Sequence, residues 1–441
     1  MTTVPQLAQT LQCVFTTTAD AAARATGFVQ RRSKLSGAAF VQALVFGWLA
    51  DPHASLAALA QAAATVGVAI SPQGLDQRCT EAAAAFLEAV LGAAVQAVIA
   101  AEPVAIPLLQ RFSAVVLLDC TSIVLPDALG LWWPGCGGSS AKHTQAALKV
   151  GVRFDLCNGA LRGPLLFDGR THESTTPIQR APLPPRALRV ADLGFFDLTA
   201  FAEVGAQDGY WLSRLHFGTA VYDADGRRWE VLALLAAQGP AQGDLPITLG
   251  AQQRLPARLL AVRVPQEVAD QRRRRLRAAA RDRGRAPSAA RLAWCDWTLL
   301  VTNAPPALLT LREALVLARA RWQIELLFKL WKSHGHIDES RSGKPWRVLC
   351  EVYAKLLAMV VQHWLLLTGC WAYPDRSLVK AAQTVRLHAL HLASALACPA
   401  ALEAAILVIH RCLAAGCRLN RRKKKPNTYQ LLLDPVLASI A

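Results

Sequence analysis

Arg321, Glu325 and Lys332 stand in the stretch Ala320–Lys332, which reads A-R-W-Q-I-E-L-L-F-K-L-W-K. It holds good helix formers and no Gly or Pro, so it is predicted to be helical. At 3.6 residues per turn, Glu325 lies one turn after Arg321 and Lys332 two turns further on. The three share one narrow stripe. Ile324, Leu326, Leu327, Leu330 and Trp331 surround that stripe with apolar surface, the mark of a buried helix. A carboxylate on such a helix needs a cationic partner. Two chemistries supply one. Arg321 can be a plain i,i+4 ion-pair partner, or Glu325 can ligate a metal while Arg321 and Lys332 reach the same phosphate. The metal reading requires two more carboxylates upstream.

Two strand ends offer them. From Phe112 the run S-A-V-V-L-L-D-C-T-S-I is β-forming and apolar on both faces, as in a buried central strand, and it leads into Asp119. Ala187–Phe196, A-L-R-V-A-D-L-G-F-F, is a short strand ending at Asp192, with Gly194 beyond it. An Asp in such a place also serves as a local cap. Between them, Ala147–Leu156 and Ala160–Phe167 read as strands joined by an Asn158-Gly159 hairpin turn. Asp208–Phe217 is a further strand, with Arg214 inside it. The loop Trp133–Ser140, W-P-G-C-G-G-S-S, lacks the G-K-[ST] ending of a phosphate-binding loop, so nucleotide binding there is rejected.

The composition frames this chemistry. At 441 residues the chain needs two to four domains. It is 53% hydrophobic and 18% charged, hence globular. A net charge of +17 and a pI near 9.8 point to a polyanion, first of all nucleic acid. Met1–Phe15 lacks a signal-peptide pattern. Val352–Trp371 is the most membrane-like segment, but Lys355, Gln362 and His363 interrupt it, so it reads as a buried helix. Eleven scattered cysteines without a C-x-x-C pair support neither a disulfide framework nor a cysteine zinc site. The expected location is the cytoplasm, on the nucleoid, with no membrane partner.

Five regions are expected. Residues 1–105 are a helical DNA-binding domain. There Ser55–Cys79 has the form of a helix-turn-helix, Gly67 lying in the turn and Ser71-Pro72 opening the second helix. Gln73, Gln77 and Arg78 on that helix suit a DNA groove, although an ordinary helical hairpin has the same pattern. Residues 106–217 and 304–372 form the two parts of a catalytic domain, and 218–303 a β-rich insertion. The insertion contains expected strands at Arg228–Leu235 and Ala257–Val264. It also holds the basic run Arg272–Arg285 and the segment Trp294–Asn303, where Trp297 suits either core packing or base stacking. Residues 373–441 are helical and contain the basic cluster Arg421–Asn427. His334-Gly335-His336 hints at a metal site but lacks a third ligand at suitable spacing.

Three antiparallel strands, a helix, a fourth strand and a late helix packing on the sheet make a ribonuclease-H-like order. The fold class is therefore α/β: a mixed sheet with flanking helices, a β-rich insertion and helical ends. Asp119, Asp192 and Glu325 would meet on it as a hard-oxygen set suited to two Mg²⁺ or Mn²⁺ ions. Such a pair, about 4 Å apart, activates the attacking oxygen and stabilises the leaving one in phosphodiester chemistry.

At these residues the chain resembles the DDE transposases of the insertion-sequence-4 type. That family's late helix carries Tyr, two residues, Arg, three residues, Glu, six residues, Lys. Arg321, Glu325 and Lys332 match this spacing, whereas the Tyr position is Ala318. L-L-D-C-T-S-I around Asp119 and A-D-L-G-F-F around Asp192 are similar to the two Asp motifs. The Gly-rich loop, Thr302-Asn303 and the terminal R-R-K-K-K-P-N are similar too. The resemblance runs from about Val115 to the C-terminus. It implies catalysis by Asp119, Asp192 and Glu325 with Mg²⁺ or Mn²⁺. It further implies cut-and-paste transposition of double-stranded DNA: nicking at terminal inverted repeats, a hairpin intermediate, and strand transfer into target DNA by a homodimer. Arg321 and Lys332 would face phosphate, and Trp297 a flipped base. Two other readings stay open. One is a catalytically inactive DNA-binding repressor, towards which Ala318 leans; the other is a stand-alone nuclease of the same core, against which the large helical ends argue.

Overall fold

The computed structural model describes residues 1–31, 34–136, 145–239, 242–373, 376–419 and 426–437. The tail of the Gly-rich loop and the basic residues 421–425 lie outside that set. Two compact units emerge. The first comprises Met1–Val104, Asp119–Thr171 and Ile324–Arg421, the second Ala105–Leu118, His172–Gln323 and Arg422–Ala441.

The first unit is mainly helical. Its N-terminal helices are α1 (Val4–Cys13), α2 (Ala19–Ala25), α3 (Gly37–Ala50), α4 (Leu56–Thr65), α5 (Pro72–Arg78) and α6 (Glu81–Gln96), with a π-helical turn Val14–Thr18 between the first two. Ser36, Ser55, Ser71 and Thr80 each accept a backbone N–H at a helix start, and such caps are each worth about 1 kcal/mol. Phe28 stacks on Phe86 and tilts against Phe40, forming the aromatic heart of this bundle.

The second unit opens with α7 (Pro107–Gln110). Strand β1 (Val115–Leu125) then begins in the second unit and ends in the first. It is followed in the first by the hairpin of β2 (Ala146–Asp155) and β3 (Leu161–Asp168), in the order β3-β2-β1. The hairpin turns at Gly159, whose φ of 70° is left-handed, and a Cβ there would meet Leu367 and Trp371.

The rest of the second unit is built on α8 (Pro177–Arg180), β4 (Leu188–Ala191), α9 (Leu198–Ala206), β5 (Tyr210–Arg214), β6 (Val221–Tyr222), β7 (Arg228–Trp229), α10 (Val231–Gln238), β8 (Gln242–Leu249), β9 (Leu255–Arg263), α11 (Gln266–Arg281), α12 (Ala289–Ala293), β10 (Trp297–Thr302) and α13 (Leu311–Ala320). The strands run β1-β4-β5-β10-β9-β8-β6-β7. β1, β4 and β5 are mutually parallel, and the partners from β10 onward are antiparallel. Trp211 and Phe201 stack 4.4 Å apart in the core of this unit. Thr302 and Asn303 splice β10 to β5. Thr302 Oγ1 donates to the Trp211 carbonyl, Asn303 Oδ1 accepts the Trp211 N–H, and Asn303 Nδ2 donates to the Gly209 carbonyl.

The first unit resumes at Ile324 within α14 (Trp322–Ser333) and continues with α15 (Pro345–Cys370), α16 (Leu378–Leu387), α17 (Ala389–Ala395) and α18 (Pro399–Ala415); α19 (Thr428–Leu433) belongs to the second unit. α15 is long and apolar enough to cross a membrane by length and composition, yet its apolar window is wholly buried. It packs on α3, α6 and α18 as the central helix of its unit.

Burial gives α15 a pH-sensitive group. His363 is buried, its Nε2–H donates to the Gly159 carbonyl, and burial pushes its imidazole from the ordinary 6.5 down to about 4. The unfolded chain therefore takes up this proton before the folded one does. Stability is full above about pH 6.5 and falls as the pH drops towards 4, by about 3 kcal/mol. Urea unfolding at stepped pH should show this slope, and His363→Gln should flatten it.

Two local expectations are corrected. Arg228–Leu235 is not one strand: a two-residue strand gives way to α10. Val231, Leu234 and Leu235 are all buried, at helical spacing, so core packing favours the helix over the local β preference. The stretch Ala320–Lys332 is not one unbroken helix either. α13 ends at Ala320, Arg321 forms its C-cap, and α14 starts at Trp322.

Candidate active site

The parallel register of β1 and β4 pairs Leu118 with Ala191 as its last step. Each strand runs directly from that step into a carboxylate, Asp119 on one and Asp192 on the other. Both are half-buried and follow buried strand residues, Val115–Leu118 on β1 and Leu188–Ala191 on β4. The N–H of Cys120 donates to Asp119 Oδ1 at 2.8 Å, which orients that carboxylate. Just after Asp192, Gly194 lets the Glu173 carboxylate in: a Cβ on Gly194 would lie 1.8 Å from Glu173 Oε2. Glu173 is thus a further acidic group beside the Asp192 turn.

α14 carries Glu325 in its first turn, where the helix N-terminus favours negative charge. Ile324, Leu327, Phe328, Leu330 and Trp331 anchor the helix in the core, while Glu325 and Lys332 remain half-buried. Lys332 Nζ donates to the Ser122 carbonyl of β1 at 2.8 Å and lies 3.7 Å from Asp338 Oδ2. The helix bearing Glu325 is therefore tied to β1 three residues beyond Asp119.

Arg321 belongs to the second unit. It lines a cavity of about 530 Å³ together with Arg214 at the end of β5, Arg272 of α11, and Arg312 and Arg319 of α13. The described lining contains no Asp or Glu. Arg272 donates to the Trp297 carbonyl and to Thr298 Oγ1, and its guanidinium is pushed down by burial and by the charge of Arg214. Ala318, at the resemblance's Tyr position, also lines this cavity. Trp297 is half-buried against the hydrophobic core of the unit, whereas Trp322 lines the cavity and is 56% exposed. Sequence reasoning passed over Trp322, Arg272, Arg312 and Arg319. Adjacency to Arg321 was the available signal for Trp322; Arg272 stood hidden in its basic run.

In the N-terminal bundle, Gln73 and Gln77 are exposed on α5. Arg78 is half-buried, with its guanidinium 5.1 Å from the Phe28 ring centroid. Asp76 pairs with Lys344 and Arg347, which ties α5 to the start of α15 and lowers the Asp76 pKa, chiefly through the Lys344 hydrogen bond.

With this geometry in place, residues 110–361 match a family model described as the transposase DDE domain. The chain belongs to this family. It is similar to the transposase for insertion sequence element IS231F of Bacillus thuringiensis subsp. israelensis, at 26% identity over 76% of this chain and 74% of that protein. It is also similar to the transposase for insertion sequence element IS1151 of Clostridium perfringens, at 22% identity over 58% of each. A putative transposase for insertion sequence element IS186A of Escherichia coli (strain K12) is 30% identical over 39% of this chain and 49% of that protein. The family assignment agrees with the ribonuclease-H-like α/β architecture. DDE domains generally use divalent metal ions, for which carboxylate oxygens are donors of the right hardness.

Proposed function

We propose that the chain is the transposase of an insertion sequence, and that it binds the terminal inverted repeats and moves the element by cutting and joining DNA. The reading rests above all on the β1–β4 register, which leads two neighbouring parallel strands into Asp119 and Asp192, together with the tie between α14 and β1. Asp119, Asp192 and Glu325 would hold two Mg²⁺ or Mn²⁺ ions. When bound, these ions activate the attacking oxygen and stabilise the leaving one. Lys332, already oriented by Ser122 and Asp338, supplies positive charge beside the scissile phosphate.

The arginine-lined cavity holds the DNA backbone near the cut end, with Arg214 and Arg321 on phosphate and Trp322 or Trp297 stacking on an unpaired base of a hairpin intermediate. Gln73, Gln77 and Arg78 contact the repeat DNA. In the synaptic complex two copies act together, each holding one inverted repeat, in the cytoplasm at the nucleoid. The domain limits follow the same reading: a DNA-binding region to residue 105, the catalytic domain in two parts interrupted by an insertion at 218–303, and a basic C-terminal region.

Ala318 in the cavity lining favours a second reading, a DNA-binding repressor that has lost its chemistry. One experiment separates the two. Purified protein is incubated with a labelled duplex ending in the element's own inverted repeat, with Mg²⁺, Mn²⁺ or EDTA, and resolved on a denaturing gel. A metal-dependent nick at the repeat boundary is expected. Binding without any cut, in every metal, would overturn the transposase reading and leave the repressor. A cut of unrelated duplexes at the same rate, without strand transfer, would mark a general nuclease.

A further inference from the structure

His334-Gly335-His336 lacked a third ligand at suitable spacing in the sequence. The first unit supplies two from elsewhere. His336, Glu339 and His53 each bring one potential ligand atom, and these atoms all lie within 4.8 Å of one another. His336 Nδ1 is 2.9 Å from Glu339 Oε1, and the rings of His53 and His336 sit 4.1 Å apart, centroid to centroid. We propose that His53, His336 and Glu339 form a binding site for a divalent transition-metal ion, zinc before others, separate from the Asp119–Asp192–Glu325 set.

The donor chemistry selects the ion. Two imidazoles and one carboxylate suit Zn²⁺ and its neighbours far better than Mg²⁺. In a tetrahedral zinc site, with bonds of about 2.0–2.1 Å, donor atoms stand about 3.4 Å apart. The observed spread reaches this with small side-chain rotations. Three protein ligands leave the fourth position for water. His336 is 23% exposed and Glu339 58%, so an ion has access.

The ligands are held in place before any ion arrives. Buried Lys355 donates to the His336 carbonyl at 2.9 Å and to the Glu339 carbonyl at 2.8 Å, gripping both ends of the turn. Its charge is met by Glu351 at 2.8 Å, whose other oxygen accepts the Ser340 hydroxyl. Gly335 is required for the path, because a Cβ would stand 2.5 Å from Met359 Sδ and 2.6 Å from the Trp331 carbonyl. His336 itself is left-handed, at φ 47°. On the other side, the His53 N–H donates to Asp51 Oδ1. A bound ion would thus clamp the turn after α3 to the turn after α14. The second of these turns also holds Asp338, the partner of Lys332.

The test uses the full-length protein, stripped with chelator and kept in excess Mg²⁺ so that hard-oxygen sites are filled. Zinc chloride is titrated calorimetrically, and cobalt chloride is added in parallel to read the ligand type from the visible spectrum. The expected result is one zinc per chain and a cobalt spectrum without thiolate charge transfer. The thermal midpoint should also rise on adding zinc. His53→Gln and His336→Ala should each weaken zinc by at least about tenfold and cancel the thermal shift. His334→Ala, outside the ligand set, should leave affinity unchanged. His53 lies on a turn, and circular dichroism checks that its variant is folded. Absence of saturable zinc binding would reduce the cluster to a His336–Glu339 contact with the His53 ring tilted against His336, and overturn the proposal. So would binding that survives in both ligand variants, or a thiolate band from any of the 11 cysteines.

Discussion

Glu325→Gln should lower metal-dependent strand cleavage by at least about 10³-fold while leaving the fold and DNA binding in place. The substitution keeps the side-chain volume and removes one negative charge and one hard donor oxygen. Neither loss endangers α14. The helix is anchored by Ile324, Leu327, Leu330 and Trp331, all buried, and by the Lys332 bond to Ser122. The charge at the helix start contributes only about 0.3–1 kcal/mol. Single-turnover nicking, far-UV circular dichroism and gel-shift affinity measured on one preparation separate these effects. Cleavage that survives unchanged would remove Glu325 from the site, and with it the reading of Arg321 and Lys332 as phosphate partners.

Lys355→Met should cost about 3–5 kcal/mol of stability. The Lys355 and Glu351 side chains are 2% and 7% exposed, and their 2.8 Å contact spans one turn of α15. Removing the ammonium leaves a buried carboxylate that keeps the Ser340 hydroxyl but has lost its opposite charge, and strips the His336 and Glu339 carbonyls of the Lys355 donor. Breaking one half of such a pair is far costlier than replacing both halves by apolar groups. The double variant Lys355→Met with Glu351→Leu should therefore recover much of the loss. Urea midpoints at an unchanged m-value measure both. A single variant as stable as the double would show that the pair contributes nothing.

Much was legible in the sequence because the signal is local. The apolar run before Asp119 marked β1, Asn158-Gly159 marked the β2–β3 hairpin, Ser71-Pro72 marked the start of α5, and polar interruptions in Val352–Trp371 marked a core helix. Each rests on period, cap or turn chemistry within a few residues. Two readings failed where tertiary packing outweighed local preference: the Arg228–Leu235 strand and the unbroken helix through Arg321. In the first, β-forming residues at helical spacing were drawn to a core that only the folded sheet provides.

By itself, then, the sequence determined the elements, the candidate triad by motif spacing, and the basic character that calls for a polyanion. Only the tertiary structure decided the strand order β1-β4-β5-β10 and the register that leads β1 and β4 into their carboxylates. The same holds for the gathering of Arg214, Arg272 and Arg319 around one cavity, and for the meeting of His53 with His336 and Glu339. These are contacts between segments tens to hundreds of residues apart. Their geometry comes from packing whole elements against one another, and no periodicity along the chain encodes it.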